Sequence, residues 1–162
     1  MQYLIIPGLI IFTCFAIIIF FGAPYLPTLR SQRQAAIELL DLPKGSMIFD
    51  IGSGDGRFLR QVAKQGYIAY GIEANPILVI VSYLVTFKYR KRVTVKWDDM
   101  WTAKWPKTDG VYVFLHTRFM EKLDKKLSQE YKSKNVKVVS YAFEIPSKKC
   151  LKNSGGMYLY EY

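Results

Sequence analysis

A chain of 162 residues has room for one folded domain, and with 51% of them hydrophobic it carries more apolar sequence than one domain needs. Its 23 lysines and arginines against 13 acids leave a net charge of +10, which directs attention to an anionic partner, either a lipid surface or a nucleic acid. The only cysteines, Cys14 and Cys150, exclude a disulfide framework, and no histidine or cysteine spacing suits a metal.

The apolar excess comes first in the chain. Residues 3–22 contain no charged side chain, and the first in the whole sequence is Arg30. Twenty residues at about 1.5 Å each span about 30 Å, the hydrocarbon thickness of a bilayer, so residues 1–22 are predicted to be a transmembrane anchor. A cleaved signal peptide would need a basic start and a small-residue cleavage site, both missing here; a membrane-surface or buried helix is the remaining alternative. Every lysine and arginine follows this segment, which predicts a single N-terminal pass with the rest of the chain on the cytoplasmic side, or its organellar equivalent. An anionic lipid surface is then the simpler partner for the positive charge. No nucleic-acid recognition motif is present, and no nucleic acid is expected. Residues 23–45 read as a loop and a helix over 31–40, ended by Pro43-Lys44-Gly45.

Residues 46–50 have strand character and 57–65 helical spacing, with Phe58, Val62 and Ala63 on one face. Between them runs Asp50-Ile51-Gly52-Ser53-Gly54-Asp55-Gly56-Arg57. Three glycines at a strand-to-helix turn allow a tight turn and a close approach of backbone to ligand, beside the free N–H groups of a helix N-terminus. Dinucleotide sites use G-x-G-x-x-G and hold a pyrophosphate, whereas here the spacing is G-x-G-x-G behind an aspartate. A carboxylate at that place repels a pyrophosphate but suits the ammonium of a methionine moiety. The ligand implied is S-adenosyl-L-methionine, with Glu73, at the end of an apolar run from residue 67, placed to accept hydrogen bonds from both ribose hydroxyls.

Asn75-Pro76 is a helix start, and 77–89 continue as an apolar helix with a basic end. Its apolar part is eleven residues, too short to span a bilayer, so it is predicted to pack on the sheet or partly against the membrane. Further strands are read at 93–97, 110–115 and 136–143, a helix between the last two, and a final strand at 157–162 that could be an antiparallel edge. Near-continuous apolar strands separated by helices predict an α/β fold with a mostly parallel sheet covered on both faces.

Gly22-Ala23-Pro24-Tyr25-Leu26-Pro27-Thr28 behind an apolar segment, the glycine run, Glu73-Ala74-Asn75-Pro76, Asp99-Met100-Trp101 and the stretch 140–146 together resemble the membrane-anchored seven-β-strand protein-lysine methyltransferases. The likeness covers nearly the whole chain. It implies a Rossmann-like class I methyltransferase domain over 46–162 that uses S-adenosylmethionine to methylate a lysine of a membrane-embedded protein. It also implies that Asp50, Gly52, Ser53 and Gly54 surround the methionine part, that Glu73 with Asn75 in its turn holds the ribose, and that Asp99 and Met100 border the adenine. Tyr25 and Thr28 would lie on a loop closing over cofactor and substrate.

Two departures stand out. Phe114-Leu115-His116-Thr117 occupies the place of an expected small-residue and proline turn, and the short sequence after Pro146 predicts a sheet reduced at its C-terminal edge. His116, the only histidine, could take a proton from an incoming lysine or could be a polar strand end. Two other functions stay open: a small-molecule or lipid methyltransferase at the membrane, and a non-catalytic S-adenosylmethionine-binding membrane protein.

Overall fold

The computed structural model describes residues 6, 8, 29–132 and 135–162. All but two residues of the predicted anchor, together with Tyr25 and Thr28, lie outside these. Among the described residues no helix is long and apolar enough to cross a membrane.

The chain alternates helix and strand: α1 (Arg30–Leu40), β1 (Met47–Ile51), α2 (Arg57–Lys64), β2 (Ile68–Glu73), α3 (Pro76–Thr86), β3 (Val93–Trp97), β4 (Gly110–Val113), α4 (Met120–Glu130), β5 (Lys137–Tyr141), β6 (Lys152–Ser154) and β7 (Met157–Glu161). Short 3₁₀ turns at Phe87–Tyr89 and Thr117–Phe119 extend α3 and lead into α4. The seven strands form one sheet in the order β3-β2-β1-β4-β5-β7-β6. Strands β1 to β5 pair in parallel, and β7 runs antiparallel to both its neighbours, β5 and β6. The chain order reverses between β1 and β4, and in open α/β sheets ligands bind at the carboxyl ends of strands beside such a point.

Helices cover both faces because the central strands are apolar on both. Ile48 on β1 faces the cluster of α1, α2 and α3, with Ala36, Leu40, Leu59, Val62 and Val79. Phe49 faces the other cluster, with Leu123 and Leu127 of α4 and with Trp105 and Ile145 from loops. Each fully buried leucine, isoleucine or phenylalanine contributes roughly 1.5–3 kcal/mol. The Phe49 ring meets Tyr70 and Trp105 edge-on, at 5.7 and 5.5 Å between centroids. Helix α1 begins with half a capping box, the side chain of Gln32 accepting the Leu29 N–H at 3.0 Å, and ends at Asp41 in the left-handed region.

The expectation of a reduced sheet is not met. The seventh strand is the Lys152–Ser154 segment, which pairs with β7 and makes β7 an internal strand, not an edge. All three residues of β6 are polar and exposed, so no apolar alternation marks them. They are held instead by a two-residue hairpin turn at Gly155 and Gly156, whose φ values of 58° and 75° fit a type I′ turn.

Gly71 of β2 sets how closely α2 can lie on the sheet. A Cβ at this position would fall 2.5 Å from Leu59 Cδ1 and 2.7 Å from Ser53 Cβ. Gly71→Ala is therefore expected to lower stability by about 1–3 kcal/mol through overpacking, seen as a lower urea midpoint at unchanged slope.

Candidate active site

The carboxyl end of β1 turns into α2 through the glycines. Gly52 N–H and Ser53 N–H both donate to Ile72 O, at 3.0 and 2.9 Å, so the turn is tied to β2 as it leaves β1. Gly52 and Gly56 have φ of +78°, a region costly for any residue with a side chain. Helix α3 presses on the far end of the turn, where a Cβ at Gly56 would fall 2.2 Å from Ser82 Oγ. At Gly52 the corresponding position has no atom within 4 Å, so that side of the turn is open to a ligand.

Glu73 closes β2 beside this turn. Its Oε2 accepts Gly54 N–H at 2.9 Å and its Oε1 accepts Asn75 N–H at 2.8 Å. Each oxygen keeps a lone-pair direction, so the carboxylate is oriented and can still accept two hydroxyls. Asn75 in turn caps α3, its Oδ1 accepting Ile77 N–H at 2.9 Å, with Pro76 in the first turn. Burial raises the Glu73 carboxyl above its ordinary value, against the pull of the N–H donors of Asn75 and Gly54.

Asp50 is the less satisfied acid. It is 3% exposed, and no described residue donates a hydrogen bond to its carboxylate. Burial raises its carboxyl well above the usual range, and the charges of Glu73 and Asp55 push in the same direction. Asp55 is neutralised by Arg57, whose Nε lies 2.6 Å from Asp55 Oδ2. Asp50 and Glu73 thus set two buried acids at adjacent strand ends, with no ion pair to either among the described residues.

The strand-three side is joined to the same place. Asp98 N–H donates to Glu73 O at 3.1 Å, and Trp97 Nε1–H to Ala74 O at 3.0 Å. The following turn is shaped by Asp99, whose Oδ1 accepts Trp101 N–H at 3.0 Å, while half-buried Met100 packs on the core. Sequence reasoning did not single out Trp97, although an indole in a polar strand end is a visible signal. Ser53 offers its backbone and not its hydroxyl, since Oγ is buried against Gly71 without a hydrogen-bond partner.

His116 follows the carboxyl end of β4, the strand paired with β1, and is exposed at the start of a 3₁₀ turn. Its Nδ1 accepts Arg118 N–H at 3.3 Å, so a neutral ring carries its proton on Nε2. The unusual turn after β4 is an aromatic cluster: the Phe114 ring lies 4.8 Å from that of Tyr141 and 6.5 Å from that of Phe143, and the His116 ring lies tilted at 5.5 Å from that of Phe143. Ala142, at φ 67°, takes a strained left-handed conformation between Tyr141 and Phe143. The side chain of Gln32 bonds Tyr141 Oη, which places the first turn of α1 at the carboxyl end of β5.

The sheet order, with its antiparallel β7 and acid-ended β1 and β2 around a glycine turn, defines the class as the Rossmann-like methyltransferase fold. Within it, the chain belongs to the ANTKMT methyltransferase domain family, whose family model matches residues 50–152. It is 31% identical over 125 residues to the ATP synthase C-subunit lysine N-methyltransferase of Homo sapiens, covering 76% of this chain and 53% of that protein. A protein-lysine N-methyltransferase of Saccharolobus islandicus is 28% identical over 126 residues, 75% of this chain and 78% of its own. The chain therefore spans about half the length of the human relative. Among solved structures, an RNA methyltransferase from Salinibacter ruber in complex with S-adenosyl-L-homocysteine superposes with a TM-score of 0.75 at 25% identity, over 85% of this chain and 92% of that one.

The residues present fit S-adenosylmethionine. The cofactor's ammonium and sulfonium would supply a cation, which Asp50 does not find among the described residues, Glu73 is oriented toward acceptance, and Gly52 leaves room for close approach. A buried carboxyl with a raised pKa binds its proton more tightly in the folded than in the unfolded chain. Its favourable contribution is complete below the ordinary carboxylate pKa and is lost as pH rises through the raised value. Without ligand, thermal stability should therefore fall as pH rises above the ordinary carboxylate range. Asp50→Asn should flatten that fall and raise Tm at neutral pH while weakening cofactor binding, a combination read by melting curves across pH.

Proposed function

We propose that the protein is an S-adenosylmethionine-dependent methyltransferase that acts on a lysine side chain of a membrane-associated protein. The observation that carries this reading is the pair of buried acids at the carboxyl ends of adjacent parallel strands, one oriented by two backbone N–H groups and one without a donor among the described residues. Its support on the substrate side is membership of a family whose relatives are named as lysine N-methyltransferases.

The cofactor, when bound, supplies a methyl group activated on a sulfonium. The chain's task is then to orient the acceptor and keep water out, which can lower a barrier by roughly 7–11 kcal/mol. Asp50 and Gly52 to Gly54 would hold the methionine part, Glu73 the ribose, and Asp99 with Met100 the adenine. A lysine must be neutral to accept a methyl group. Burial against the Phe114, Tyr141 and Phe143 rings disfavours its charged form and so lowers its pKa, while Tyr141 Oη offers an acceptor to orient the amine. The same rings would stabilise methylated, cationic product. Residues 3–22 are assigned to the bilayer as a single pass, with the domain on the cytoplasmic or equivalent side.

Incubation of membranes with this protein and methyl-labelled S-adenosylmethionine should label a protein band at lysine; label entering only the lipid phase would replace the substrate assigned here. Glu73→Gln brings an amide NH₂ against either the Gly54 or the Asn75 N–H and removes one charged acceptor. The dissociation constant for S-adenosylmethionine is expected to rise roughly tenfold to a hundredfold, measured by calorimetry, with the fold retained.

A further inference from the structure

Helix α3 is apolar around its whole circumference, a pattern that belongs to helices buried on every side. Its inner face meets that rule, with Leu78, Val79, Ser82 and Thr86 buried and Ser82 packed on Gly56 of the glycine turn. Its outer face does not. Ile80, Tyr83, Leu84 and Phe87 follow one another at i, i+3, i+4 and i+7 and are 61%, 53%, 72% and 63% exposed. The Tyr83 hydroxyl is bonded inward to Val95 O at 2.8 Å, which leaves its ring facing outward.

The charge around this stripe has one sign. From Ala74 to Trp97 there is no acid, while Lys88, Arg90, Lys91 and Arg92 follow directly on the stripe. On the other flank Val85 belongs to the wall of a cleft of about 890 Å³ between α1 and α2, lined also by Arg30, Arg33, Arg57, Arg60 and Lys64 and by no acid. Apolar surface rimmed by cations is the arrangement of elements that lie in the interface of an anionic membrane, with apolar side chains among the acyl chains and bases at the phosphates. A protein partner for the stripe alone would not need the cleft, and a free phosphate would not need the stripe.

We propose that the outer face of α3 and the basic cleft beside it form one surface that seats the domain on an anionic lipid bilayer. The start of α3 lies at Asn75, next to Glu73, so a helix lying in the interface brings the site to the membrane plane. A substrate lysine close to the bilayer surface then reaches the aromatic turn without leaving it. This inference rests on the proposed work at a membrane but not on methyl transfer, and its test reads depth, not activity.

The full chain, with Cys14 and Cys150 replaced by serine, is reconstituted into phosphatidylglycerol-rich vesicles whose acyl chains carry nitroxide quenchers. A fluorophore is attached to Leu84→Cys or, on the opposite face of the sheet, to Glu121→Cys. Retained S-adenosylmethionine binding, which is independent of either position, reports an intact fold. The expected result is strong quenching at position 84, little at 121, and a severalfold loss of quenching at 84 when Arg60→Glu and Lys64→Glu are added. An unquenched probe at 84 in vesicle-bound protein overturns the proposal: red-shifted emission would place that face in water, and blue-shifted emission would place it under protein. Equal quenching at both positions would also overturn it.

Discussion

The structure depends on how two carboxylates are held at the ends of β1 and β2. Asp50 and Gly71 are opposite each other in the parallel register, and Glu73 lies two residues further along β2. Nothing in an apolar two-sided sheet favours acids at this depth. Glu73 remains there because the turn from β1 supplies Gly54 N–H and the start of α3 supplies Asn75 N–H. Those two donors tie three elements to one side chain. The glycine turn, the cap on α3 and the closeness of α2 to β2 at Gly71 are parts of the same arrangement.

Asp50 has no such donors among the described residues, and this asymmetry gives the site its chemistry. Groups that are buried, like-charged and unpaired are costly, and a fold that retains one is poised for a ligand of opposite charge. The remainder of the strand ends supplies shape. The Asp98 and Trp97 bonds lock the loop after β3 to the end of β2, and the aromatic group of Phe114, Tyr141 and Phe143 forms an apolar wall beyond β4 and β5. The left-handed Ala142 is the local distortion between Tyr141 and Phe143, which pack against the two opposite core clusters.

Most of this site could be read from the sequence because each part has a local signature. Apolar runs gave the parallel strands, the glycine spacing gave the turn, and Glu73 ended its strand visibly. The edge was not legible as a strand because Lys152, Asn153 and Ser154 carry no apolar alternation; their pairing is set by the Gly155-Gly156 turn, a signal that could have been used. The insertion of β7 between β5 and β6 is a long-range choice that no local pattern states. The substitution of rings for a small-residue turn after β4 was visible as sequence, but its compensation by Tyr141 and Phe143 appears only when β4 and β5 are paired. The basic residues of α1 and α2 are separated in sequence, and only the packing of the two helices gathers them around one cleft.

Proton linkage tests the central claim most directly. If Asp50 meets the cation of S-adenosylmethionine, binding must lower its raised pKa and release a proton at any pH where the free protein still holds it. Calorimetric titrations in two buffers of different ionisation heat measure that release. The account predicts proton release for the natural sequence and its loss in Asp50→Asn; tight binding without any proton release would contradict it.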